Sequence, residues 1–201
     1  MADIKSYRPS AHSLSKGQVL SEPYTFAKAR TVILEMADGL VFEMVEKRLV
    51  ADQMVLTIGY DVESLNDGGG KRRYRGEVTK DWYGRAVPKP AHGSINLGCL
   101  TSSTDLILKA VGGLFDRIAD KNLLVRRMYV VANHVQDEAL REGVQLDLFT
   151  AQEDAGRERS RQEAILEIRR KFGRNAILKG MNFEEGATAK ERNKQIGGHK
   201  A

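Results

Sequence analysis

The stretch "LLVRRMYVVANHV", residues 123–135, alternates. Met128, Val130 and Ala132 fall on one side of an extended chain, and Arg127, Tyr129, Val131 and Asn133 on the other. A period of two with β-branched and aromatic residues is that of a strand with one face on a core and one toward water. Whatever covers the Met128 side must come from elsewhere in the chain.

Upstream, "TSSTDLILKAVGGLFDRIADKN" (101–122) switches to a helical period, with Ile107, Val111, Leu114 and Ile118 on one face. Ser102 and Asp105 have capping-box spacing, and the pair Gly112–Gly113 either weakens the helix or lets a strand approach closely. "GSINLG" (93–98) predicts a short strand, Ile95 and Leu97 alternating with Ser94 and Asn96. "DQMVLTIGYD" (52–61) predicts another, Met54, Leu56 and Ile58 alternating with Val55, Thr57 and Gly59. Between Tyr24 and Leu49 the residues Ala29, Ile33, Met36, Leu40 and Met44 recur every three or four positions, a helix started by Pro23 and Thr25. "HSLSKGQVL" (12–20) is a weaker strand candidate.

The order is β-α-β-β-α-β over residues 12–136. This predicts an α+β fold in which a four-stranded sheet carries both crossover helices on one face. The other face then stays open and offers Ser13, Ser15, Thr57, Gly59, Ser94, Asn96, Arg127, Tyr129 and Asn133. An open polar face is tolerated by an antiparallel sheet as plain wet surface, and it equally suits a sugar-phosphate backbone.

Composition narrows the classes. The 201 residues are 41% hydrophobic and 29% charged, enough for a core. No run approaches the length of a membrane span, and "MADIKSYRPS" is not a secretory signal. Cys99 is the single cysteine, so no intrachain disulfide forms and a cytoplasmic setting is expected. The net charge of +5 permits a polyanionic partner without demanding one. The cations cluster in "KRRYR" (71–75), behind the hinge "NDGGG", and in the ending "ATAKERNKQIGGHKA". Either cluster is a solvated face or, for the Gly-hinged loop with its tyrosine, a phosphate-tracking loop.

Past Gln136 the character changes. "DEALREG" is polar, "QLDLF" (145–149) places Leu146, Leu148 and Phe149 between acidic and small polar residues, and "AGRERSRQEAILEIRRKFG" (155–173) predicts a third helix. Its stripe Ile165, Ile168 and Phe172 is narrow, and Gly173 stops it. That helix either docks on the sheet domain or projects as an arm. The expected organisation is a linker over 1–11, a sheet domain over 12–136, a second linker over 137–154, and a helix with a basic tail over 155–201.

"QLDLF" resembles the clamp-binding motif of bacterial DNA-processing proteins, a short extended peptide with apolar anchors. The same residues also fit a latch folded back on the domain. With "YRPSAHSLSKGQVL", "DLILKAVGGLFDRI", "VRRMYVVANHV" and the basic ending, the chain is similar to the C-terminal part of Y-family translesion DNA polymerases, closest to the UmuC-like DNA repair proteins of Gram-positive bacteria.

That resemblance implies a little-finger fold whose open sheet face lies along duplex DNA, followed by a clamp-binding extension. It implies DNA contacts at Ser13, Ser15, Lys16, Thr57, Lys71, Arg72, Arg73, Arg75, Ser94, Asn96 and Arg127, and sliding-clamp contacts at Gln145, Leu146, Asp147, Leu148 and Phe149. It implies a place in the response to DNA damage, the SOS response included.

In that family carboxylates of a preceding palm domain hold the magnesium ions of nucleotidyl transfer. Only about eleven residues precede the first predicted strand, so the chain is expected to be a non-catalytic fragment that binds no cofactor, no membrane and no small-molecule substrate. Two rivals stay open: a stand-alone clamp-binding or polymerase-regulating module without DNA affinity, and a small enzyme using Asp61, Asp67, Asp81 and His92.

Overall fold

The computed structural model describes residues 13–65, 74–140, 151–196, 199 and 200. Its centre is an antiparallel sheet of β1 (Leu14–Tyr24), β2 (Leu49–Tyr60), β5 (Ala91–Thr101) and β6 (Val125–Asn133), in the spatial order β1-β6-β2-β5. The two-residue strand β7 (Gln136–Asp137) pairs with the start of β2. Helices α1 (Phe26–Glu46) and α2 (Thr104–Ile118) make the two crossovers. The expected βαββαβ order and α+β class hold.

One inserted element was not expected. The region 61–92 reads as loop, yet β3 (Val78–Lys80) and β4 (Ala86–Pro88) form a hairpin within it. Asp81 builds the turn: its Oδ1 accepts from the Tyr83 and Arg85 N–H groups, and its Oδ2 from the Arg85 guanidinium. Gly84 takes the left-handed φ of +76° that closes it. The turn leaves Trp82 91% and Tyr83 79% exposed.

The core lies between the sheet and the helices. Met54, Leu56 and Ile58 of β2 and Met128, Val130 and Ala132 of β6 are fully buried against Ile33, Met36, Leu40 and Met44 of α1 and Ile107, Val111, Leu114 and Phe115 of α2. At about 25 cal/mol per Å² of apolar surface removed from water, each of these side chains contributes on the order of 1.5–3 kcal/mol.

Two local expectations need correction. The cap of α2 is Ser103, not Ser102: the Ser103 Oγ accepts from the Leu106 N–H, while Ser102 is buried. Asp105 therefore closes no capping box. A carboxylate from outside does part of that work, because Glu158 accepts from the Thr104 and Asp105 N–H groups at 2.6 and 3.3 Å. Gly112 admits not a strand but α1, the Arg30 guanidinium and Leu34 sitting where its side chain would project.

Glu158 belongs to α3 (Ala151–Phe172), and it shows that this helix docks. Gln162 is buried and donates to the Ser102 carbonyl and the Thr104 hydroxyl, each at 2.9 Å. Leu166 packs on the core, and the Arg169 guanidinium stacks 4.2 Å from the Phe42 ring centre. Phe172 does not join the stripe read from the sequence; it is 67% exposed. Gly173 ends the helix with φ +91°, as its position predicted.

The chain then turns back across α1. Glu35 accepts from the Asn182 amide at 2.7 Å and from the Thr188 and Ala189 N–H groups at 2.7 and 3.0 Å. Asp38 pairs with Lys179 at 2.6 Å. Helix α1 is thus covered by the sheet on one side and by α3 and the tail on the other. Its buried set accordingly extends beyond the predicted stripe to Val32, Ala37, Val41 and Val45.

Candidate nucleic-acid interface

Strand register places the side chains of the open face in rows. One row runs Gly17, Tyr129, Thr57, His92 across all four strands; the next runs Ser15, Val131, Val55, Ser94. A third joins Asn133, Gln53 and Asn96, and a fourth joins Val19, Arg127 and Gly59. Among the described residues no helix covers this side.

Two glycines shape it. A Cβ on Gly59 would stand 2.5 Å from the Arg127 Cγ, and one on Gly17 would stand 2.7 Å from the Tyr129 ring. Both spaces are filled by the neighbour, so the arginine stem and the tyrosine ring lie down along the sheet. Tyr129 remains 43% exposed. The polar groups are held by each other: the Gln53 amide donates to Asn96 at 2.9 Å and accepts from Asn133 at 3.1 Å, and the Thr57 hydroxyl meets the His92 Nδ1 at 2.9 Å. The result is a shallow surface of oriented amides and hydroxyls with one guanidinium, the donor set that contacts phosphates and sugars.

Not every expected residue lies there. Ser15, Thr57, Ser94, Asn96 and Arg127 share the open side, and Ser13 is exposed just ahead of β1. Lys16 does not: it is in phase with Leu14 and Leu20 on the helix side, its ammonium 3.4 Å from Glu43 of α1. Strand alternation itself forbids Ser15 and Lys16 from pointing the same way. Loss of hydration, with the positive charges of Arg192 and Arg174, holds the Lys16 ammonium below the ordinary lysine range despite Glu43. Arg75 is exposed just ahead of the hairpin. Lys71, Arg72 and Arg73 lie outside the described residues, and so does the pentapeptide Gln145–Phe149.

The hairpin aromatics Trp82 and Tyr83 escaped the sequence reading. Their signal was present as Asp81 and Gly84 three apart, flanked by Thr79 and Val87, a turn signature with strand residues on either side. Three residues of the enzymatic rival are otherwise engaged, Asp81 in the turn, His92 with Thr57, and Asp61 with the Glu63 N–H and Arg126, and the fourth, Asp67, lies outside the described residues. Among the described residues no three His, Cys, Asp or Glu are grouped to hold a metal ion.

Residues 11–148, more than half of the chain, match the impB/mucB/samB family C-terminal domain. The chain belongs to this family. It carries the C-terminal domain of a UmuC-like, Y-family polymerase of DNA repair, and the helix-backed antiparallel sheet is the little-finger-like architecture. A comparison with curated proteins found no match. The family suggests DNA as a partner in general, since its polymerases belong to DNA repair. No described helix is long and apolar enough to cross a membrane.

Proposed function

We propose that this chain is the portion of a translesion polymerase that holds DNA and attaches it to the replication machinery, rather than the portion that copies it. The observation that carries the reading is the uncovered sheet face with Arg127 and Tyr129 laid flat over Gly59 and Gly17. A flat polar face lets a duplex backbone approach without side chains standing in its way. Ser13, Ser15, Thr57, Ser94 and Asn96 supply neutral hydrogen bonds; Arg127, Arg75 and the preceding cations Lys71, Arg72 and Arg73 supply charge. Lys16 is excluded from that set by its pairing with Glu43.

On this reading nucleotidyl transfer, and the magnesium it uses, belong to other domains of the parent polymerase, and the setting is cytoplasmic. The segment Gln145, Leu146, Asp147, Leu148, Phe149 is the attachment to the sliding clamp. Weak backbone binding becomes useful when a ring already on DNA raises the local concentration, a gain of roughly 10²–10⁴.

Fluorescence anisotropy of a labelled duplex, titrated against salt, tests the first half. Micromolar affinity that falls steeply with salt and does not depend on sequence is expected. Clamp capture, with and without the double change Leu148→Ala and Phe149→Ala, tests the second. Clamp capture with no duplex affinity at any salt would leave only a protein-interaction module.

A further inference from the structure

The returning tail bounds a cleft of about 810 Å³ between α1 and the edge strand β1. Its floor is α1 at Glu35, Met36, Asp38 and Gly39, one wall is the outer edge of β1, and the other is the tail around Thr188–Gln195. A second cleft of about 560 Å³ adjoins it, and the two share Lys16, Arg169 and Arg174. Arg192 completes a set of four cations around the larger one.

The acids at this cleft are already neutralised. Glu35 is taken up by backbone N–H groups and Asn182, Asp38 by Lys179, and Glu43, beside Lys16, also by Lys47. The cations are not all so matched. Arg169 donates to the Ile177 carbonyl and is attracted by Asp38, Arg192 is attracted by Glu35, and among the described residues the guanidiniums of Arg174 and Arg192 make no side-chain hydrogen bond or ion pair. Loss of hydration pushes the Arg169 and Arg192 guanidiniums below their ordinary values, and Arg174 opposes the charge on Arg169. Positive charge drawn together and only partly offset by Glu43, Asp38 and Glu35 is an arrangement that an incoming anion relieves.

We propose that this cleft binds a small phosphate-bearing ligand, of pyrophosphate or nucleoside-polyphosphate size, through Lys16, Arg169, Arg174 and Arg192. Guanidinium forks match phosphate oxygens, and the enclosed volume is that of a small-molecule site rather than of a duplex groove. The site is independent of the open face, so its failure and the failure of the DNA reading are separable.

Calorimetric titration of the full chain with pyrophosphate at constant ionic strength is the test. Saturable 1:1 binding is expected, weakened about tenfold or more by Arg174→Ala and by Arg192→Ala, with Arg127→Ala on the open face leaving it unchanged. Arg174 is exposed, so its variant keeps the fold should Arg192→Ala disturb the tail. Absence of saturable binding, or binding unaffected by Arg174→Ala, would overturn the site. So would affinity confined to a single-stranded oligonucleotide without terminal phosphates, which would make these cations an extension of the DNA surface.

Discussion

Arg127 can lie down on the sheet because the residue beneath it has no side chain. Changing Gly59 to alanine puts a methyl group 2.5 Å from the arginine's Cγ, near the backbone end of the side chain rather than its mobile tip. The arginine must then lift or the strand must shift, an overpacking cost of about 1–3 kcal/mol. Thermal unfolding should show Gly59→Ala destabilised in the native background and nearly silent in an Arg127→Ala background, the signature of direct coupling. In duplex titrations both single variants should weaken binding, and Arg127→Ala should reduce the salt slope by about one. A slope unchanged by Arg127→Ala would remove this residue from the phosphate contacts. The face assignments of Thr57, Ser94, Asn96 and Arg127 were legible in the sequence because strand alternation is strict. Lys16 was misplaced only by disregarding that rule.

The hairpin and α3 carry information that periodicity alone does not convey. β3 and β4 are three residues each and cannot display a period, so their turn had to be read from side-chain chemistry. Loss of hydration at the Asp81 carboxyl acts against ionisation, but the Arg85 guanidinium and the Arg85 and Tyr83 N–H groups outweigh it and hold the carboxyl below its ordinary value. A carboxyl depressed in the folded state stabilises fully above its unfolded value, near 3.9, and loses that contribution as pH falls through the folded one. The hairpin should therefore be indifferent to pH from neutrality down to about 4 and loosen below it, with Asp81→Asn loosened throughout. The chain has a single tryptophan, Trp82 at the tip, whose fluorescence anisotropy reports this directly. In α3, Glu158→Ala removes a carboxylate from the first turn of α2 and should cost about 1 kcal/mol, measurable by chemical unfolding. A contact between residues fifty-four apart has no local signature, which is why Glu158 and Gln162 were invisible as docking groups.

Considered as a whole, the molecule has three layers: an open sheet, two crossover helices, and a cover made of α3 and the tail. The third layer was illegible for a definite reason. Glu35 and Asp38 lie on the side of α1 away from the sheet, and in the sequence they read as an ordinary solvated helix face. Only the returning chain, with Asn182, Lys179 and the Thr188 and Ala189 N–H groups, converts them into buried acceptors. A chain ending at residue 173 should therefore melt several degrees below the full chain, since buried polar groups stripped of partners cost about 1–3 kcal/mol each. Equal melting temperatures would mean the cover is dispensable.

The docking of α3 also reaches back to the sheet. Glu138, just past β7, is joined to Arg159 of α3 at 2.8 Å, with both side chains mostly out of water. The end of the sheet domain and its cover are thereby clipped to each other, so that prying α3 loose would also strip a charge partner from the last turn of the sheet domain.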